Sequence, residues 1–124
     1  MSPRHDDGPM SAEEVVRAEL SAWGHRDIDE IMFHFAADAV WDNVPYGAVR
    51  GHDEIRNAVE GYLKRTTYAE IEILNLAVTG NIVLTERVDH FVFDGTTIDA
   101  RVMGAFEVAD GKVTAWRDYF DAHR

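Results

Sequence analysis

Near residue 68 the spacing of apolar residues changes from a period of about 3.6 to a period of 2, and this switch constrains the fold of the 124-residue chain more than any other feature. Before the switch the pattern is helical. Ser11 and Glu14 have capping-box spacing, and Val16, Leu20 and Trp23 follow on one face up to Gly24. Asp27 and Glu30 repeat the cap, with Ile28, Ile31, Met32 and Phe35 as a second short amphipathic helix. Residues 39–43 read as a short strand ended by Pro45. After Gly51, Ile55, Val59, Tyr62 and Leu63 mark a third helix.

Beyond residue 68 there are four β-rich runs, 68–79, 82–94, 97–109 and 112–121. Gly80-Asn81, Asp94-Gly95 and Asp110-Gly111 separate them, and the last two dipeptides favour tight hairpin turns. Helices followed by a meander of long strands give an α+β fold, with a strongly curved, mainly antiparallel sheet wrapped on three to four N-terminal helices around an internal pocket. Residues 1–10 (MSPRHDDGPM) are polar and aperiodic and read as a disordered leader, leaving 11–124 as one domain.

Composition narrows the function. The chain has no cysteine, which excludes disulfides, thiolate metal sites and a cysteine nucleophile and suits a reducing cytoplasm. No run reaches the roughly 20 apolar residues of a membrane span. A net charge of −11, from 23 acidic and 12 basic residues, repels nucleic acid and anionic membrane surfaces. A neutral small molecule fits this chain best. The six histidines lack metal-ligand spacing, no metal site is expected, and no phosphate loop or nucleophile elbow occurs.

The run 82–94 carries the chemistry. Alternation puts Val83, Thr85, Arg87, Asp89, Phe91 and Phe93 on one face, so two charges project into an apolar interior. In the last run Asp118 shares a face with Trp116 and Phe120. A lone buried carboxylate is costly, and Arg87 is its natural partner. A buried ion-pair network that only fixes strand register is the competing interpretation. Two carboxylates around one arginine retain one proton between them and titrate together, which gives an acid and a base in one site. Such a pair can open an epoxide with water: one carboxyl protonates the departing oxygen, the other takes a proton from water, and ring strain makes a cofactor unnecessary. On the short strand Trp41 and Asn43 share a face, and an inward Asn43 amide both donates and accepts hydrogen bonds, the alternative being that Asn43 simply starts the turn before Pro45. Met32, Phe35, Leu63, Phe91, Met103 and Phe120 are candidate pocket residues, with simple core packing the alternative for each.

Thr85-Glu86-Arg87-Val88-Asp89, Gly104 to Phe106 with the Asp110-Gly111-Lys112 turn, and Trp116-Arg117-Asp118-Tyr119-Phe120-Asp121 resemble the limonene-1,2-epoxide hydrolase family. The likeness extends over residues 12–121, its N-terminal half being generic to the SnoaL-like, nuclear-transport-factor-like cone-shaped α+β superfamily. The resemblance implies a cofactor-free, one-step hydrolysis with no covalent enzyme intermediate. By position, Asp118 would be the base, Asp89 the acid and Arg87 the bridge, with Asn43 helping to hold the water. The family usually has Tyr where this chain has Trp41, whose indole N–H donates but cannot accept. Superfamily members also include cyclases that open epoxides internally, polyketide cyclases, ketosteroid isomerases and binding-only modules, so these stand as alternatives. A homodimer is expected from the resemblance and from Leu84, Val88 and Val92 on the outer face.

Overall fold

A computed structural model describes residues 10–122. Among these residues three helices and six strands follow in the order α1 (Ala12–His25), α2 (Ile28–Phe33), β1 (Phe35–Asn43), β2 (Gly47–Arg50), α3 (His52–Arg65), β3 (Thr66–Thr79), β4 (Ile82–Phe93), β5 (Thr96–Ala109) and β6 (Lys112–Tyr119). The expected leader at 1–10 lies almost wholly outside the described residues. None of the described helices is long and apolar enough to cross a membrane.

The capping box forms as its spacing requires: Ser11 Oγ accepts from Glu14 N at 3.1 Å and Glu14 Oε1 accepts from Ser11 N at 2.8 Å. Gly24 does not end α1; Arg26 takes the left-handed C-cap position instead. At α2 only half of the expected box appears. Asp27 accepts from Asp29 N and Glu30 N, while the Glu30 carboxylate meets His25 at 3.0 Å. Phe35, placed on the second helix by its spacing, is the first residue of β1 and pairs with Val113. The sequence-level strand at 39–43 is thus the second half of a longer one, and β2 adds a short exposed edge.

The strands form one open sheet in the order β2-β1-β6-β5-β4-β3, antiparallel except for the parallel pair β1/β6. Asp94-Gly95 and Asp110-Gly111 have positive φ at both residues (51° and 78°, 53° and 75°), the backbone of type I′ hairpin turns. Their tight geometry fixes the register between β4, β5 and β6. The helices cover one face of the sheet, α1 lying mainly on β3. Between them lies a core of Val15, Val16, Leu20, Ile31, Ile55 and Val59 from the helices, with Val83, Phe106, Val113 and Trp116 from the sheet. This is the α+β cone.

Candidate active site

Register brings the site together. On the inner face Trp41, Trp116, Phe106 and Val83 stand side by side across β1, β6, β5 and β4. The next row is Asn43, Asp118, Gly104 and Thr85. Arg87 and Asp89 follow Thr85 at two-residue steps on the same face of β4. The first row is a hydrophobic wall: the Trp116 ring lies 4.8 Å from Phe106, 5.8 Å from Trp41, 6.0 Å from Phe35 and 6.4 Å from Trp23, centroid to centroid. The second row is polar and sits against it.

The Arg87 side chain leans back over that polar row and is saturated there. Its Nε donates to Asp89 Oδ1 at 3.1 Å, and its Nη2 donates to Asp89 Oδ2 at 2.8 Å and to Asp118 Oδ2 at 2.9 Å. Its Nη1 donates to Asp118 Oδ1 at 3.0 Å and to Thr85 Oγ1 at 3.2 Å. A guanidinium has five N–H groups, and all five are used. Arg87 is 1% exposed, Asp89 7% and Asp118 5%, so these charge-assisted bonds form away from water.

The trio carries a net charge of −1 if both carboxylates ionise. Burial pushes the Asp118 carboxyl up from its usual range and the nearby Asp89 adds to this, while Arg87 and the Trp116 indole N–H pull against it without prevailing. Arg87 itself is held protonated, because its two carboxylate partners more than offset its desolvation. A carboxyl raised in this way is a stronger proton acceptor than an ordinary aspartate.

Asn43 and Asp118 are register partners, and Val44 N donates to the Asp118 carbonyl at 3.0 Å, which ties the two strand ends together. The half-buried Asn43 amide makes no side-chain hydrogen bond among the described residues. Trp41 is buried within the aromatic wall, 5.7 Å from Trp23 and 5.8 Å from Tyr62, and its N–H has no hydrogen-bond partner among the described residues. The indole that reaches a carboxylate is Trp116, whose Nε1 donates to Asp118 Oδ1 at 2.7 Å.

The six expected pocket residues do not line one cavity. Met32 and Phe35 border a surface cavity of about 400 Å³ with His52, Arg56 and Lys112. Leu63 packs against the core, and Phe91 is half-buried on the inner face of β4 opposite Ile98. Val102 and Gly104 turn inward and alternation turns Met103 outward, where it is 52% exposed beside Tyr119. With Phe120, Arg87 and Val102 it borders a groove of about 550 Å³. His90 is on this outer face too, between Asp99 at 2.7 Å and Glu72 at 3.0 Å.

Thr85, Gly104 and Trp116 belong to the site although the charged motif alone does not single them out. The available signals were the shared face of Thr85 and Trp116 with the charged residues, and a glycine inside a long strand pattern, which often marks a close approach.

Residues 10–124 match the family profile of the limonene-1,2-epoxide hydrolase catalytic domain. This chain belongs to that family. Epoxide hydrolase EphG of Mycobacterium tuberculosis is 33% identical over 109 residues, covering 88% of this chain and 72% of that relative. The solved structure of an M. tuberculosis epoxide hydrolase of this type superposes with a TM-score of 0.81 at 34% identity, covering 89% of this chain and 82% of the other. The structure of a proposed SnoaL-like polyketide cyclase from Shewanella denitrificans has a TM-score of 0.79 at 14% identity, covering 89% of this chain and 90% of the other, a likeness of fold alone.

Proposed function

We propose that this limonene-1,2-epoxide hydrolase family member hydrolyses a small, mostly apolar epoxide to a vicinal diol by direct attack of water, with no cofactor. The observation that carries the reading is Arg87 clamped between two buried carboxylates. Both Asp118 oxygens accept hydrogen bonds, but unequally: Oδ1 takes two, from Arg87 and Trp116, and Oδ2 takes one. A carboxylate oxygen has two acceptor sites, so Oδ2 keeps one for a proton of the attacking water. Asn43, alongside, steadies that water with its unengaged amide.

Asp89 is the acid. As the water oxygen bonds to one epoxide carbon, that carbon's own bond to the ring oxygen breaks, and the ring oxygen, still held by the other carbon, takes the Asp89 proton and becomes a hydroxyl. Water's lost proton resides on Asp118 and returns to Asp89 before the next turnover, so the pair holds one proton throughout. Arg87 keeps both carboxyls in place and favours the form in which only one of them is protonated. Trp41 serves as wall for the apolar part of the substrate.

The working unit is a homodimer joined through the outer sheet face, where Leu74, Leu84, Met103 and Tyr119 are exposed. A cysteine-free, strongly acidic chain suits the cytoplasm. A panel of terpene and aryl epoxides, assayed for diol with the wild type, Asp89→Asn and Asp118→Asn, tests the activity. The expected outcome is diol from the wild type and a fall of about 10²–10⁴-fold in each variant, the usual contribution of a general acid or base. Near-normal turnover in either folded variant would remove that residue from the mechanism.

A further inference from the structure

Resting on the reading above, the geometry points to Gly104 and Thr85 as positioning residues that hold the Arg87 guanidinium between its two aspartates. β5 lies between β4, which carries Arg87, and β6, which carries Asp118. The guanidinium therefore has to cross β5 to reach the second carboxylate, and the residue in register with both Thr85 and Asp118 is Gly104. A Cβ on Gly104 would lie 2.3 Å from Arg87 Nη1, 2.8 Å from Asp118 Oδ1 and 2.9 Å from Thr85 Oγ1. Carbon packs comfortably at about 3.5–4.0 Å, so no side chain fits there while the bridge stands.

The backbone does not ask for glycine at this position. Gly104 is in the middle of β5 and is not among the residues with positive φ. Glycine in a strand interior weakens the strand, so the benefit lies in the missing side chain. The three atoms nearest that missing Cβ are all ends of polar side chains of the site, none of them backbone. An added methyl group displaces those ends and leaves the strand where it is.

Thr85 acts from the other side. It is 1% exposed, and its hydroxyl oxygen takes the one guanidinium N–H that neither aspartate accepts. Valine in its place has nearly the same shape but no acceptor. A buried, unpaired N–H then pulls the guanidinium toward one carboxylate at the expense of the other. Gly104 thus provides the passage, and Thr85 fixes how the guanidinium sits in it.

Gly104→Ala, Thr85→Val and Thr85→Ser test this. Wild-type diol formation is measured first, followed by kcat, KM and the pH profile of kcat for each folded variant. Gly104→Ala is expected to lose about 100-fold in kcat with KM within a few-fold, since a misplacement of about 1 Å costs on that order. Its acid limb moves to higher pH, because an Asp118 carboxyl deprived of its cationic donor is harder to ionise. Thr85→Val loses about tenfold, on the order of one hydrogen bond, and Thr85→Ser recovers most of that loss. A folded Gly104→Ala with wild-type kcat and an unmoved limb overturns the proposal. If Gly104→Ala does not fold, the threonine pair decides: equal rates and profiles for valine and serine overturn it. Should the wild type form no diol from any epoxide, the epoxide reading falls by itself. The positioning role is then read from the NMR signal of the Arg87 Nε–H, whose burial and bond to Asp89 Oδ1 should make it exchange slowly in the wild type. It is expected to shift or disappear in Gly104→Ala, and an unchanged signal overturns the proposal.

Discussion

The indole N–H of Trp116 donates to Asp118 Oδ1 at 2.7 Å from two residues earlier on the same face of β6. It leaves Oδ2 as the oxygen with a free acceptor site and is the third of three N–H donors that resist the upward push of burial on this carboxyl. Trp116→Phe keeps an aromatic ring in the wall and removes the donor. A donor to the ionised form lowers a carboxyl pKa, so its loss raises it further. The base must be ionised to work, and the acid limb of the kcat/KM profile is therefore expected to move to higher pH. An unmoved limb in the folded variant would show that the indole does not tune Asp118.

Asn43 and Trp41 are neighbours on one strand with opposite expected sensitivities. Asn43→Leu removes the amide assigned to the water and should lower kcat by about tenfold or more, the effect of one lost hydrogen bond. Trp41→Phe removes an N–H that has no partner among the described residues, and kcat should stay within a few-fold. Steady-state kinetics with a substrate turned over by the wild type separates the two, and the reverse pattern would transfer the water-holding role to Trp41.

Glu19 makes the stability of the fold depend on pH. It is fully buried on α1, and among the described residues neither of its carboxylate oxygens makes a hydrogen bond of good geometry, the Trp23 indole giving only weak support. Burial pushes its pKa well above the ordinary value and the nearby Glu30 adds to this, while Trp23 opposes only in part. Above the ordinary glutamate pKa the unfolded chain releases this proton and the folded chain keeps it. Stability contributed by Glu19 is therefore present at low pH and is lost as pH rises toward the raised folded value. Glu19→Gln lacks this loss, so its melting temperature should fall less than that of the wild type from pH 5 to 8. Asp118 shifts in the same direction and accounts for part of the slope that remains. Parallel curves for the two proteins would show that Glu19 ionises in the folded state as readily as in the unfolded one.

Much of this arrangement is legible in the sequence because it is set locally. Asp94-Gly95 and Asp110-Gly111 dictate their own turns, and alternation along β4 and β6 puts Arg87, Asp89 and Asp118 inside. What escapes local reading depends on neighbours in space. The role of Gly104 appears only once register sets it between Thr85 and Asp118, two residues 33 positions apart in the chain. Phe35 fits a helical period as well as a strand start, and its pairing with Val113 settles which. β2 is four residues long and largely exposed, with no periodic signal to mark it.

The outer face gives a prediction about assembly. Leu74, Leu84, Met103 and Tyr119 are all more than 40% exposed on one side of the sheet. Met103→Asp introduces a charge in the middle of that surface. Sedimentation should show a dimer for the wild type and a monomer for the variant, with helix and strand content unchanged. A monomeric wild type at tens of micromolar would contradict the proposed interface.

The central claim is direct attack of water with no ester to the enzyme, and a single turnover in heavy-oxygen water tests it most directly. With enzyme in excess over a good epoxide, the heavy oxygen is expected in the diol and absent from the protein. Label in an aspartate carboxyl, with an unlabelled diol, would mean that a carboxylate and not water opens the ring.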